Sequence, residues 1–146
     1  MGQLNLDIYQ RVYLDTAIVI YVVESHVSYS ARLQPLWHKF QAGDIELVTS
    51  QLTLMETLVK PIKENNQTLV GNYRTFLEGT GIQLIAIDKK IILNASQLRA
   101  TTGLKTPDAI HAATAMSARC DLFLTNDRAF EHFSGLSSVV ILDDVI

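Results

Sequence analysis

Two periods of apolar residues alternate along this chain, and they predict strands and helices in turn. Residues 11–15 (Arg11-Val12-Tyr13-Leu14-Asp15) form a short apolar run that reads as a strand, and Asp15 is placed to cap the helix after it. Leu33, Leu36, Trp37 and Phe40 recur at helical spacing until Gly43-Asp44 breaks the pattern. Ile45 to Thr49 reads as a second strand, followed by a helix from about Gln51 to Lys63. Leu69, Tyr73, Phe76 and Leu77 mark an amphipathic helix that stops near Gly79 and Gly81. Ile82 to Ile87 is strand-like, and Ile91, Ala95 and Leu98 trace a helix that Gly103 ends. Pro107 to Arg119 reads as helix, Leu122 to Thr125 as strand and Ser138 to Leu142 as a last strand. Strands separated by helices need crossover connections, so the expected fold is α/β, with a parallel sheet covered on both faces. No repeat or Pro/Gly/Ser-rich linker interrupts the pattern, which predicts one domain over residues 1–146.

Composition narrows the class. With 48% hydrophobic and 18% charged residues in 146, the chain builds a full core and is not disordered. No segment approaches the roughly 20 apolar residues of a membrane span. The start, Met1-Gly2-Gln3-Leu4-Asn5, lacks the basic and apolar stretches of a secretion signal, so no membrane association and a cytoplasmic location are expected. A single cysteine, Cys120, excludes an internal disulfide and a cysteine-based zinc site. The net charge of −3 and a pI near 5.7 argue against strong non-specific nucleic-acid binding. A cation held by acids would offset part of that charge, and a local basic rim still guides a phosphate.

Four carboxylates stand out against this background. Asp15 and Asp127 end predicted strands, Glu56 lies inside an apolar helical run, and Asp108 opens the helix of Thr106-Pro107-Asp108-Ala109-Ile110-His111. Ligands in parallel α/β sheets gather at the carboxyl ends of strands, where Asp15 and Asp127 fall. Each acid also has a local structural use. Asp15 and Asp127 suit helix caps, Asp108 complements a helix dipole behind Pro107, and Thr53-x-x-Glu56 fits a capping box. Ser50 is the better cap, however, which leaves Glu56 about one and a half turns inside the helix, near Leu52, Met55 and Val59. Burying acids among apolar residues is costly unless they are paired or bind a cation, and one shared metal site explains all four. Oxygen donors of this kind suit Mg²⁺ or Mn²⁺ and phosphodiester hydrolysis. His26, His38, His111 and His132 show no HExxH spacing, and there is no GxSxG, GxGxxG or GxxxxGK[ST] motif. His111 shares a helix face with Asp108, where a packing or hydrogen-bonding role is expected.

In order and spacing, Asp15-Thr16, the Glu56 helix, Thr106 to Ala115 and Thr125-Asn126-Asp127 resemble the signatures of the PIN-domain ribonucleases. The resemblance covers nearly the whole chain and is strongest to the compact VapC-like toxins of toxin–antitoxin pairs. It implies a PIN-like three-layer α/β/α sandwich with a mainly parallel five-stranded sheet. It also implies Mg²⁺- or Mn²⁺-dependent cleavage of single-stranded RNA by metal-activated water, a homodimer and an antitoxin partner. Carried over by position, Asp15, Glu56, Asp108 and Asp127 are the metal-site and catalytic acids, with Thr16, Thr125 and Asn126 supporting them. Ala17 replaces a polar residue common in relatives, and the pI is acidic for an RNA binder. Both keep open a catalytically weak RNA-binding or scaffold domain, and a structure-specific DNA nuclease shares the same chemistry. Lys60, Lys63, Lys105 and Arg128 are the candidate substrate contacts, each set against ordinary surface charge. The helices carrying Leu33-Trp37-Phe40 and Leu69-Tyr73-Phe76 hold more large side chains than one stripe needs, which makes them candidate dimer or antitoxin surfaces as well as core.

Overall fold

The computed structural model describes residues 4–131 and 133–145. Strands β1 (Arg11–Leu14), β2 (Glu46–Ser50), β3 (Gln83–Ile85), β4 (Leu122–Thr125) and β5 (Val139–Ile141) form one sheet in the order β3-β2-β1-β4-β5. Every pairing is parallel. Helices α1 (Thr16–Val23), α2 (Ser30–Gln41), α3 (Leu52–Lys63), α4 (Gln67–Gly79), α5 (Lys89–Thr102) and α6 (Thr106–Ser117) make the crossovers.

Alternation along the strands builds a core on each face, because successive side chains point to opposite sides. Val12, Leu14, Leu47, Leu122 and Leu124 pack with α1, α2 and α4. Tyr13, Val48 and Phe123 point the other way, onto Ile91 and Ala95 of α5 and the alanines of α6. The result is the expected α/β/α sandwich.

The excess of aromatic residues on α2 and α4 is absorbed where these helices meet. Trp37 stacks on Phe76 with ring centroids 5.3 Å apart, and Leu33, Tyr73 and Leu77 are buried. Core packing is therefore the use the fold makes of them. The large apolar side chains left in solvent include Met55, Val59 and Ile62, a stripe along α3. Local signals mostly hold at the helix starts. Asp15 accepts a bond from Thr16 N. Gln51, not Ser50, occupies the cap position of α3, although the Ser50 hydroxyl accepts a bond from Leu52 N at 3.0 Å. Lys105, not Thr106, occupies the cap position of α6, with Pro107 in its first turn.

Candidate active site

The strand order reverses direction between β1 and β4, because the chain steps from β1 to β2 on one side and reaches β4 on the other. A crevice opens at such a switch point, outside the carboxyl ends of the strands. Leu14 pairs with Leu124, so Asp15 and Thr125 emerge side by side. The Thr125 hydroxyl donates to Asp15 Oδ2 at 2.6 Å, while Thr16 N donates to Oδ1 at 2.9 Å. Both carboxylate oxygens are thus held from the protein side. Thr125 Oγ1 also accepts from Asp127 N at 3.0 Å, and Asp127 Oδ1 accepts from Ala129 N at 2.8 Å, capping the short turn Arg128–Phe130.

Glu56 comes from α3 and is tied down by two donors. The Thr16 hydroxyl reaches Oε1 at 2.6 Å and His111 Nε2 lies 2.7 Å from the same oxygen. Burial pushes the Glu56 carboxyl up, but the hydrogen bonds from His111 and Thr16 outweigh it and hold the acid below its ordinary value. His111 is itself almost fully buried, and its Nδ1 faces the Tyr13 hydroxyl at 2.6 Å. Burial first, then the Asp15 charge, holds the Tyr13 phenol well above its ordinary value. A protonated phenol donates to the imidazole, leaving the ring proton on Nε2 to face Glu56. Behind this pair, Thr49 and Thr53 hydroxyls lie 2.8 Å apart, and Thr49 donates to Leu14 O. The sequence places His111 beside the site; it does not expose Tyr13, Thr49 or Thr53, which look like ordinary strand and helix residues.

Asp108, one helical turn before His111 on α6, lines a cleft together with Asp127. Its carboxyl is raised above its ordinary value by burial, then by the charges of Asp127 and Asp15, with Glu56 adding less. Burial is the larger cause and the neighbouring acids the smaller, with His111 opposing them. The donors are all hard oxygens, suited to Mg²⁺ or Mn²⁺. Among the described residues, no three such side chains converge closely enough to close a metal site unaided. That spacing still fits Mg²⁺, which keeps several waters and takes one or two carboxylates directly.

Lys105, Asp108 and Asp127 line one cleft of about 350 Å³. Lys105 is exposed there. Arg128 is committed elsewhere, to Asp144 at 2.7 Å and Glu131 at 2.5 Å. Lys60 and Lys63 are exposed toward the far end of α3. Asn126 turns away from the acids: its amide donates to the Tyr21 hydroxyl at 3.2 Å and its carbonyl oxygen accepts from Asp143 N at 2.8 Å.

The PIN domain profile matches residues 12–136, from β1 past β4, and so spans this whole constellation. The chain belongs to the PIN-domain family. Among solved structures, this PIN domain superposes on VapBC2 from Rickettsia felis bound to a promoter DNA fragment. The TM-score is 0.69 at 20% identity, covering 88% of this chain and 97% of that one. It also matches a toxin–antitoxin complex from Klebsiella pneumoniae, with a TM-score of 0.66, 24% identity and coverage of 90% and 97%. DNA-bound VapBC from Salmonella typhimurium gives 0.65 at 18% identity, with 91% and 98% covered. No curated protein matches the chain significantly in sequence. None of the described helices of this PIN domain is long and apolar enough to cross a membrane.

Proposed function

We propose that this PIN domain is a Mg²⁺- or Mn²⁺-dependent endoribonuclease acting on single-stranded RNA, and the toxin of a toxin–antitoxin pair. What supports this reading is the hydrogen-bonded placement of Asp15, Asp127 and Glu56 through Thr125 and Thr16 at the β1/β4 switch point, with Asp108 lining a cleft beside Asp127. Asp15 and Asp108 are the principal ligands, with Asp127 and Glu56 completing the set. A divalent ion bound there would activate water and neutralise charge on the transferring phosphoryl group. Thr125 and the Thr16 amide fix Asp15, so its lone pairs stay aimed without reorganisation. His111 and Thr16 keep Glu56 ionised, so that it would hold the cation or orient the attacking water. Lys105 lines the same cleft and would contact the substrate phosphate. Water adds to phosphorus in line and the P–O3′ bond breaks, leaving a 5′-phosphate and a 3′-hydroxyl.

An open acidic cleft in a free ribonuclease calls for an inhibitor, and the likeness in fold to toxin–antitoxin complexes supports one. A partner Arg or Lys pairing with the carboxylates would block the cleft. The exposed stripe of Met55, Val59 and Ile62, on the helix that carries Glu56, offers the apolar area to seat such a partner. The deciding experiment compares single-stranded RNA, duplex RNA and flap DNA with Mg²⁺ or Mn²⁺, for the parent and for Asp15→Ala and Asp108→Ala. Metal-dependent cutting of single-stranded RNA by the parent, abolished in both folded variants, is expected. Unchanged cutting by both variants refutes the assignment. Preference for flap DNA moves the substrate to DNA, and no metal binding by calorimetry at millimolar concentration favours a scaffold.

A further inference from the structure

Beside the acid cleft lies a larger hollow of about 550 Å³. The two share Thr102, Leu104 and Ala129 as lining, so the cleft of Lys105, Asp108 and Asp127 adjoins a hollow bordered by Phe133, Ser134 and Gly135. The hollow falls within the ~300–1,000 Å³ range of small-ligand pockets, and its walls are of two kinds. Leu104 and Phe133 bring apolar surface, while Thr101, Thr102 and Ser134 bring polar groups. The Thr101 and Thr102 hydroxyls donate to Gln97 O and Leu98 O, which fixes the last turn of α5 as a wall. Phe133 is half-buried against the α5/α6 core, and it also lines the hollow. A Cβ built on Gly135 would lie 2.5 Å from Phe133 Cζ, so a glycine is what lets the ring rest against this backbone.

An aromatic surface beside polar groups, with a cation one step away, is the arrangement that holds an unpaired base. Lys105 lines the adjoining cleft with Asp108 and Asp127, beside the hollow. We propose that this hollow is the base-binding subsite for a nucleotide adjacent to the scissile phosphate of single-stranded RNA, with Phe133 as its stacking surface. The inference rests on the ribonuclease reading above. It assigns sequence preference to a wall that contains none of the four acids.

The test uses the full chain carrying Asp108→Asn, to keep RNA uncut, and single-stranded RNA oligonucleotides with 2-aminopurine stepped through each position. Quenching at one or two positions flanking the cut made by the parent is expected. Adding Phe133→Leu keeps an apolar side chain but removes the ring. It should abolish that quenching and weaken binding about tenfold, toward the low end of the ~1–3 kcal/mol that a stacked base is worth. An abasic site at the quenched position should erase the difference between the two proteins. Gly135→Ala, which displaces the ring without deleting it, should act in the same direction, with circular dichroism checking that both variants fold. If the parent cuts RNA but Phe133→Leu binds every oligonucleotide as tightly as its background, the subsite is refuted and the nuclease reading stands. The subsite is equally refuted if Phe133→Leu leaves RNA binding unchanged and instead loosens a protein partner. If the parent neither binds nor cuts RNA, the nuclease reading fails and takes the subsite with it.

Discussion

Tyr13→Phe removes one hydroxyl from the centre of the molecule and almost nothing else. Tyr13 is fully buried, and its ring stacks on Phe123 at 5.0 Å with planes 7° apart, a contact phenylalanine retains. What disappears is the bond to His111 Nδ1, 2.6 Å away on a side chain only 1% exposed, so bulk water does not replace the lost donor. A buried acceptor left without a partner costs about 1–3 kcal/mol. Taking ~2 kcal/mol and an unfolding entropy of ~2.1 cal/mol/K per residue, Tm should fall by about 6 °C. Scanning calorimetry reads the shift, and a urea titration with an unchanged slope confirms that stability, not compactness, has changed. The imidazole also loses the anchor that keeps Nε2 on Glu56, so affinity for Mn²⁺ should drop in the same variant. His111→Leu in the Tyr13→Phe background should cost less than it does alone, because neither polar partner then remains orphaned. A Tyr13→Phe protein that melts with the parent, and in which His111→Leu costs its full amount, would show that the pair does not hold the site.

Other consequences are open to measurement. Thr125→Val keeps the shape of a fully buried side chain but strips the donor from Asp15 and the acceptor from Asp127 N, so a loss of ~2 kcal/mol is expected in urea unfolding. Charge reversal at Lys105 should weaken RNA binding and lower its salt slope by about one. Reversal at Arg128, whose guanidinium is already paired with Asp144 and Glu131, should leave the slope close to that of the parent. Equal slopes for both variants would return Lys105 to ordinary surface charge. Val59→Glu, in the exposed stripe of α3, should weaken co-purification with an antitoxin and spare RNA cleavage. Retained co-purification would move that partner to another face.

What is legible in the sequence follows from which signals are local. β4 has the bounds its sequence predicts because polar residues, Asp121 and Asn126, flank four buried ones. The apolar run predicts a third strand from Ile82 to Ile87, but only Gln83–Ile85 pairs. At the sheet edge β3 has one neighbour, and Ile87 packs on the core without entering the ladder. Helix α5 starts at Lys89, before its first apolar marker, because Asp88 caps it through Ile91 N and its first two residues are lysines. The α2 and α4 aromatics look like a surplus when each stripe is counted alone, while in the fold the two stripes share one seam. The acids are legible because strand order alone sends Asp15 and Asp127 to the same end of the sheet. The partners of His111 are not, since a tyrosine in an apolar strand gives no sign of what its hydroxyl meets 98 residues later.

The bond between Thr125 and Asp15 joins residues 110 apart in the chain. During synthesis, therefore, the earlier acids are made long before the strand that aims Asp15 exists. A ribosome has to release nearly all of this domain before the cleft can form, and a nascent or prematurely terminated chain carries the acids without their alignment. The alignment of Asp15 is therefore a late property of the folding chain, complete only when the β1 and β4 ends meet.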